Sequence, residues 1–265
     1  SDLQPRHWCY DFCALPLPGD SADGVKSFQR TKPHLLNQIN NNLGATTRIT
    51  YSTSTKYYLK GKQKGRPWIT NLPFPVQVIE KVESWDAISQ TKLVSSYSYH
   101  HGYYDGVERE FRGFGMVERL DAETLSSNAD PYHVPPVLSK TWYHTGAWQG
   151  EESLSKQYER EYFQEDKEAY QFPDSVFDAN GKKTDSETWR EAHRALKGMV
   201  LRKELYALDK CGQKANLYTI SQTNYRVILI KPKGKNKYGV YFVHPQESLT
   251  YDYDYDYKPK SDSPY

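Results

Sequence analysis

The stretch from Tyr97 to Phe114 constrains this chain more than any other, because Asp105-Gly106 sits at the centre of a run rich in aromatic and charged residues on both sides. An Asp-Gly pair supplies the two positive-φ positions that a two-residue type I′ hairpin turn needs. In that register Tyr103 faces Glu108, His101 faces Glu110, Tyr99 faces Arg112 and Tyr97 faces Phe114. Opposite charges then pair and a guanidinium lies beside a ring. A segment that complements itself across a turn commits the chain to antiparallel sheet. The same side chains have a second chemistry: Asp105, Glu108 and Glu110 are of the type that serves as general acids and bases, with His100 or His101 as a proton carrier. Paired charges on a hairpin account for them without any substrate. Tyr99, His101, Asp105, Gly106, Glu108, Glu110 and Arg112 are therefore read as a structural hairpin, and no catalytic residue is assigned.

The pattern around this hairpin is also strand-like. Short runs at 46–51, 76–82, 92–100 and 107–120 are separated by Gly, Pro and Asn, the signature of meandering antiparallel strands. From Glu123 to Pro136 the chain turns to Ser, Asn, Asp and Pro, which reads as a linker and a subdomain boundary. Beyond it, 137–145, 200–208, 225–231, 240–244 and 249–257 read as strands, with Lys231 to Lys237 as a hairpin loop. Two helices interrupt them. Leu154, Tyr158 and Tyr162 recur at i, i+4 and i+8. Thr184 with Glu187 forms a capping box ahead of Trp189, Ala192 and Leu196, and Gly198 stands where a C-cap belongs. The expected fold is mainly β, with about two inserted α-helices. Twenty-three Tyr and six Trp against two Met suit broad pleated surfaces.

Other motifs point to no site. The 35 basic and 33 acidic residues leave a net charge of +2, without the basic footprint that nucleic acid requires. No run approaches the roughly 18 apolar residues of a membrane span. Cys9 and Cys13 lack a second Cys/His pair that would complete a zinc site, and the third cysteine is Cys211. His100 and His101 are neighbours on a strand and so face opposite ways, which leaves no metal assigned. Gly113-Phe114-Gly115 lacks the third glycine of a phosphate loop, and a bulge or a close backbone approach fits it better. Asp252, Asp254 and Asp256 echo the start of a calcium loop, but its sixth position would be Tyr257 and its twelfth Ser263. An acidic edge strand explains them. No cofactor is expected.

A resemblance adds to this reading. Asn41-Asn-Leu-Gly-Ala-Thr-Thr47, Gly65-Arg-Pro-Trp68, Leu72-Pro-Phe-Pro75 and the run Tyr99 to Gly115 resemble the middle region of the B component of insecticidal toxin complexes, which also occurs in relatives of the Salmonella virulence protein SpvB. Lys140-Thr-Trp-Tyr-His-Thr-Gly146, Arg194-Ala-Leu-Lys-Gly198, Leu205-Tyr-Ala-Leu-Asp209 and Val243-His-Pro245 continue it in the same order, so that it spans residues 32 to 251.

The resemblance implies an RHS-like β-shell that encloses a toxic polypeptide. The implied partners are an RHS-repeat C component with its cargo and, through an adjoining propeller, a pore-forming A component. The implied location is extracellular, after release from the bacterial cytoplasm. On this reading residues 1–31 are the end of a preceding propeller unit, 32–126 and 127–257 are the middle/N-terminal and middle/C-terminal segments, and 258–265 is a disordered tail. The start at Ser1 reads as a piece of something longer. Two alternatives stay open: a carbohydrate or cell-surface binding β module, from the Tyr and Trp excess, and a hydrolase using His101, Glu108 and Glu110.

Overall fold

A computed structural model describes residues 34–125, 136–148, 154–166, 168–208 and 215–253. The three cysteines, Asp254, Asp256, and most of the expected linker and tail lie outside the described residues. Within them, ten strands form a sheet in the order β1 (Gln38–Asn40), β2 (Ala45–Thr53), β3 (Gln77–Asp86), β4 (Thr91–Asp105), β5 (Glu110–Leu125), β6 (Val137–Tyr143), β8 (Val200–Leu208), β9 (Ala215–Lys231) and β10 (Val240–Asp252). Short β7 (Val176–Asp178) pairs with β9 in parallel, and every other pairing is antiparallel. This is the mainly β meander expected from the alternation of strand and turn signals, and β8 has the expected bounds. The two separate runs expected at 240–244 and 249–257 are one strand, β10, with a register shift between Pro245 and Glu247. Proline lacks an N–H, and an edge strand with a bulge tolerates that. The sheet also runs unbroken from β5 to β6, where Met116 pairs with Trp142 and Asp121 with Val137.

Three helices pack on this sheet: α1 (Ser54–Gln63), α2 (Leu154–Tyr158), which runs into a 3₁₀ turn at Glu159–Glu161, and α3 (Ser186–Ala195). The helical stripe expected at Leu154, Tyr158 and Tyr162 thus breaks after Tyr158, but all three side chains are still buried. For α3 the cap lies one residue later than the capping box suggests. Asp185 accepts a hydrogen bond from the Thr188 N–H at 2.8 Å, the N3 position that a short carboxylate reaches best. Ala192 and Leu196 are buried against Tyr225 and Val227 as expected, Trp189 keeps partial exposure, and Gly198 adopts φ +82. Nothing in the periodicity announces α1. It has no side-chain cap, it carries β-prone Tyr57-Tyr58, and it contains Gly61, where a Cβ would meet Arg66 O at 2.8 Å. Tertiary packing fixes it instead, since Tyr57 joins Trp68 and Val78 in an aromatic cluster with Tyr99 and Phe114.

The core is split into small aromatic clusters strung along the sheet. At the centre, Trp142 is fully enclosed with Met116, Tyr158 and Tyr162, and its ring meets Tyr162 edge-on at 4.9 Å between centroids. Burial raises the hydroxyl pKa values of Tyr158 and Tyr162. Among the described residues no helix is long and apolar enough to cross a membrane.

Candidate functional site

The β4–β5 hairpin is present, but its register differs from the two-residue one. Asp105 pairs with Glu110, Tyr104 with Phe111, Gly102 with Phe114 and Tyr99 with Val117, and the connection is the four-residue Gly106–Arg109. Asp105 itself causes the change. Its Oδ1 accepts from the N–H groups of Val107 (2.9 Å) and Glu108 (3.1 Å), so it closes the last strand position instead of entering the turn. Gly106 is exposed and has no positive φ, and the left-handed residue is Arg109, at φ +55. A second shift follows, because between Gly102 and Tyr104 the register slips by one residue at Gly113, which has φ +92. The expected bulge at Gly113-Phe114-Gly115 is thus present. Gly115 supplies the close approach, since a Cβ there would lie 2.1 Å from Tyr158 Oη.

The new register turns the hairpin's charges toward distant elements. Arg112, whose side chain is 1% exposed, places Nη2 2.5 Å from Asp105 Oδ2 and donates from Nη1 to Gly146 O at 2.6 Å. Its guanidinium also lies 5.9 Å from the centre of the Tyr103 ring. Glu110 accepts from Lys197 Nζ at 2.6 Å, which holds its carboxyl below the usual range. Glu108 accepts from Tyr238 Oη at 2.7 Å and lies 3.5 Å from Arg190 Nη2, while Arg194 stacks 4.1 Å from the Tyr238 ring centre. The tip of the hairpin is therefore clamped between α3 and the β9–β10 loop.

His101 and Tyr99 belong to other neighbourhoods. His101, at φ +57 and buried, accepts at Nδ1 from the Ile69 N–H (3.1 Å). That bond fixes the tautomer: Nε2 carries the proton and donates to Glu161 Oε1 at 2.8 Å. Burial disfavours ionisation of Glu161, but the hydrogen bonds from His101 and from Trp142 Nε1 outweigh it and leave its pKa lowered. Tyr99 donates to Ile79 O at 2.8 Å, and burial pushes its hydroxyl up to about 12.

The structure thus joins Asp105, Glu108, Glu110 and Arg112 into one cluster and leaves His101 and Tyr99 outside it. The triad of His101, Glu108 and Glu110 weighed for proton transfer is not assembled, since each of the three has its own separate partner.

A second buried charge cluster carries no sequence signal. Arg202, Glu204 and Tyr206 alternate along one face of β8. Glu204, with no exposed surface, accepts from Arg202 Nε (2.7 Å), Tyr206 Oη (2.6 Å) and the Phe163 N–H (2.9 Å). Arg202 stacks 4.6 Å from the Tyr162 ring centre and Lys140 5.1 Å from that of Tyr206. In a sequence an i, i+2, i+4 row of charged and polar residues reads as a solvent face, and only the packing of Tyr162 and Phe163 over it reveals otherwise. Among the described residues no group of His, Cys, Asp and Glu is placed to hold a metal ion.

Two family models match the chain in succession: the insecticide toxin TcdB middle/N-terminal region over residues 18–146, and the TcdB middle/C-terminal region over residues 191–261. The chain belongs to the TcdB middle-region family. Solved TcdB-containing structures share the fold. The crystal structure of TcdB2-TccC3 without its hypervariable C-terminal region matches at 32% identity and a TM-score of 0.75, over 85% of this chain and 11% of that one. TcdB2-TccC3-TEV matches at 33% identity and a TM-score of 0.73, over 85% and 11%. A Photorhabdus luminescens Tc holotoxin pore matches at 33% identity and a TM-score of 0.71, over 83% and 10%. The TcdB-like chain therefore spans about a tenth of the length of these relatives. No curated protein matches it. It is a β-rich segment of a toxin-complex B component.

Proposed function

We propose that this TcdB-like segment is a non-catalytic part of the wall of a hollow β-shell, which encloses a toxic polypeptide and links to a pore-docking propeller. Its partners are an RHS-repeat C component with its cargo and, through the propeller, a pore-forming A component. It acts outside the bacterium that makes it. Residues 32–126 and 127–257 are its two segments, joined through the β5–β6 pairing. The observation that carries this reading is the clamp on the hairpin. Asp105, Glu108, Glu110 and Arg112 are each engaged by the chain itself, through Gly146, α3 or the β9–β10 loop, which suits a rigid wall and leaves no free acid or base in the cluster. The likeness to TcdB2-TccC3 structures supports the same assignment.

The test is a chimera. This chain replaces the corresponding region of a toxin-complex B component, which is co-expressed with its C component and then challenged with protease. Co-purification with protected cargo supports the wall role. A folded chimera that binds the C component yet leaves its cargo open to protease refutes it.

A further inference from the structure

The first four strands carry, on one face, a shallow cleft of about 320 Å³ that none of the buried charge clusters uses. It is lined by Gln38, Thr46, Arg48, Glu83, Trp85 and Lys92. The register explains the grouping. Gln38 pairs with Arg48 and Arg48 with Glu83 in one row, and Thr46 pairs with Trp85 and Trp85 with Lys92 in the next. Directly paired residues project from the same face of a sheet.

Two features of this cleft have no structural use among the described residues. Trp85 is 40% exposed, and no other ring packs against it. Arg48 is exposed, and its side chain forms no ion pair or hydrogen bond with any described residue. The one carboxylate present cannot serve Arg48. Glu83 is held by Lys92 Nζ at 2.7 Å on Oε1 and by Lys81 Nζ at 3.0 Å on Oε2. The cleft therefore carries an excess of positive charge beside a partly exposed indole.

This combination selects among ligands. A guanidinium fork matches a carboxylate in two parallel hydrogen bonds. An indole face takes the apolar C–H face of a ring, and the Gln38 amide and Thr46 hydroxyl offer donors and acceptors to ring hydroxyls. A neutral sugar would leave Arg48 idle, and a bare phosphate would leave Trp85 idle. We propose that this cleft binds an acidic sugar, with the pyranose face on Trp85, the carboxylate on Arg48 and Lys92, and hydroxyls on Gln38 and Thr46. The site is independent of the wall role, and either can stand without the other.

The test titrates the full chain with 3′-sialyllactose and with a glucuronate disaccharide, read by saturation-transfer NMR, against lactose, inorganic phosphate and a Glu-rich peptide. The expected result is saturable binding of the acidic sugars, weaker by about tenfold or more for lactose. Trp85→Ala abolishes it, Arg48→Ala weakens it by about tenfold, and Arg48→Lys retains part of it. Both positions are exposed, so unchanged thermal unfolding of the variants confirms that the fold is intact. No saturable binding of either acidic sugar overturns the proposal, as does binding that survives both Trp85→Ala and Arg48→Ala. A preference for the Glu-rich peptide or for phosphate overturns it too, since the cleft would then read charge without the sugar ring.

Discussion

Gly115→Ala tests the packing at the centre of the sheet. The added Cβ would lie 2.1 Å from Tyr158 Oη, 2.8 Å from Tyr158 Cζ and 3.0 Å from His101 Cβ. Non-bonded carbon contacts settle at about 3.5–4.0 Å, so the ring would have to retreat by over an ångström. It has no room to do so: Tyr158 is 1% exposed and packs with Met116, Trp142 and Tyr162. His101 is equally fixed, by its bonds to Ile69 and Glu161. Overpacking of this kind costs about 1–3 kcal/mol. Against it, Ala in place of Gly within a strand ordinarily gains about 0.5–1 kcal/mol. The clash is severe enough to put the net at about 2 kcal/mol of destabilisation, or about 4–8 °C in Tm for a chain of this size. The assay is urea and thermal unfolding of wild type, Gly115→Ala, Tyr158→Leu and the double variant. Leu removes the ring atoms that collide, so the double variant should show a favourable coupling of about 1 kcal/mol or more. A Gly115→Ala variant as stable as wild type, or a double variant whose losses simply add, would refute the close approach.

Three further outcomes follow from the buried polar groups. His144, partly buried and near His193, has its pKa lowered to about 3, first by desolvation and then by that neighbour. The unfolded chain then binds the extra proton below about pH 6.5, so stability is full above that pH and falls on acidification, by about 2 kcal/mol between pH 7 and 5. His144→Gln should flatten that part of the pH–Tm curve, and an unchanged slope would count against a ring held neutral in the folded chain. Asp105→Ala removes both turn hydrogen bonds and the partner of buried Arg112, at a cost of about 3–5 kcal/mol by chemical denaturation; a loss under 1 kcal/mol would mean that solvent reaches Arg112. Glu204→Leu should cost about 3–5 kcal/mol by stranding Arg202, whereas Arg202→Met with Glu204→Leu should recover most of it, as replaced buried pairs do. Equal losses in the single and double variants would contradict that.

The parts of the fold that were legible in the sequence are those set by near neighbours. The period-2 runs, the turn residues between them and the apolar face of α3 are local patterns, and they place β2 to β6, β8, β10 and α3 to within about five residues, whereas β9 starts at Ala215, well before the run expected at 225–231. The errors share one cause. The hairpin register depended on where the Asp105 carboxylate points, and Arg112, buried in part by Gly146, draws it inward. Helix α1 depends on Tyr57 finding Trp68 and Val78. Glu161 and Glu204 look like surface carboxylates until His101, Trp142, Arg202 and Tyr206 are brought to them. Each of these needs a partner whose position no local periodicity supplies.

The same long-range partners bind the two family regions into one sheet. Glu110 reaches Lys197 and Glu108 reaches Tyr238, 130 residues away in sequence, so the tip of a hairpin from the first region is held by a helix and a loop from the second. Surface ion pairs alone add little stability, about 0–1 kcal/mol each. Their weight here comes from anchoring to the buried Asp105–Arg112 pair, where an unmatched partner leaves a charge in the interior. A one-residue slip of β4 against β5 would expose the aromatic face and also strand that charge. The clamp therefore selects the register more than it deepens the free-energy well.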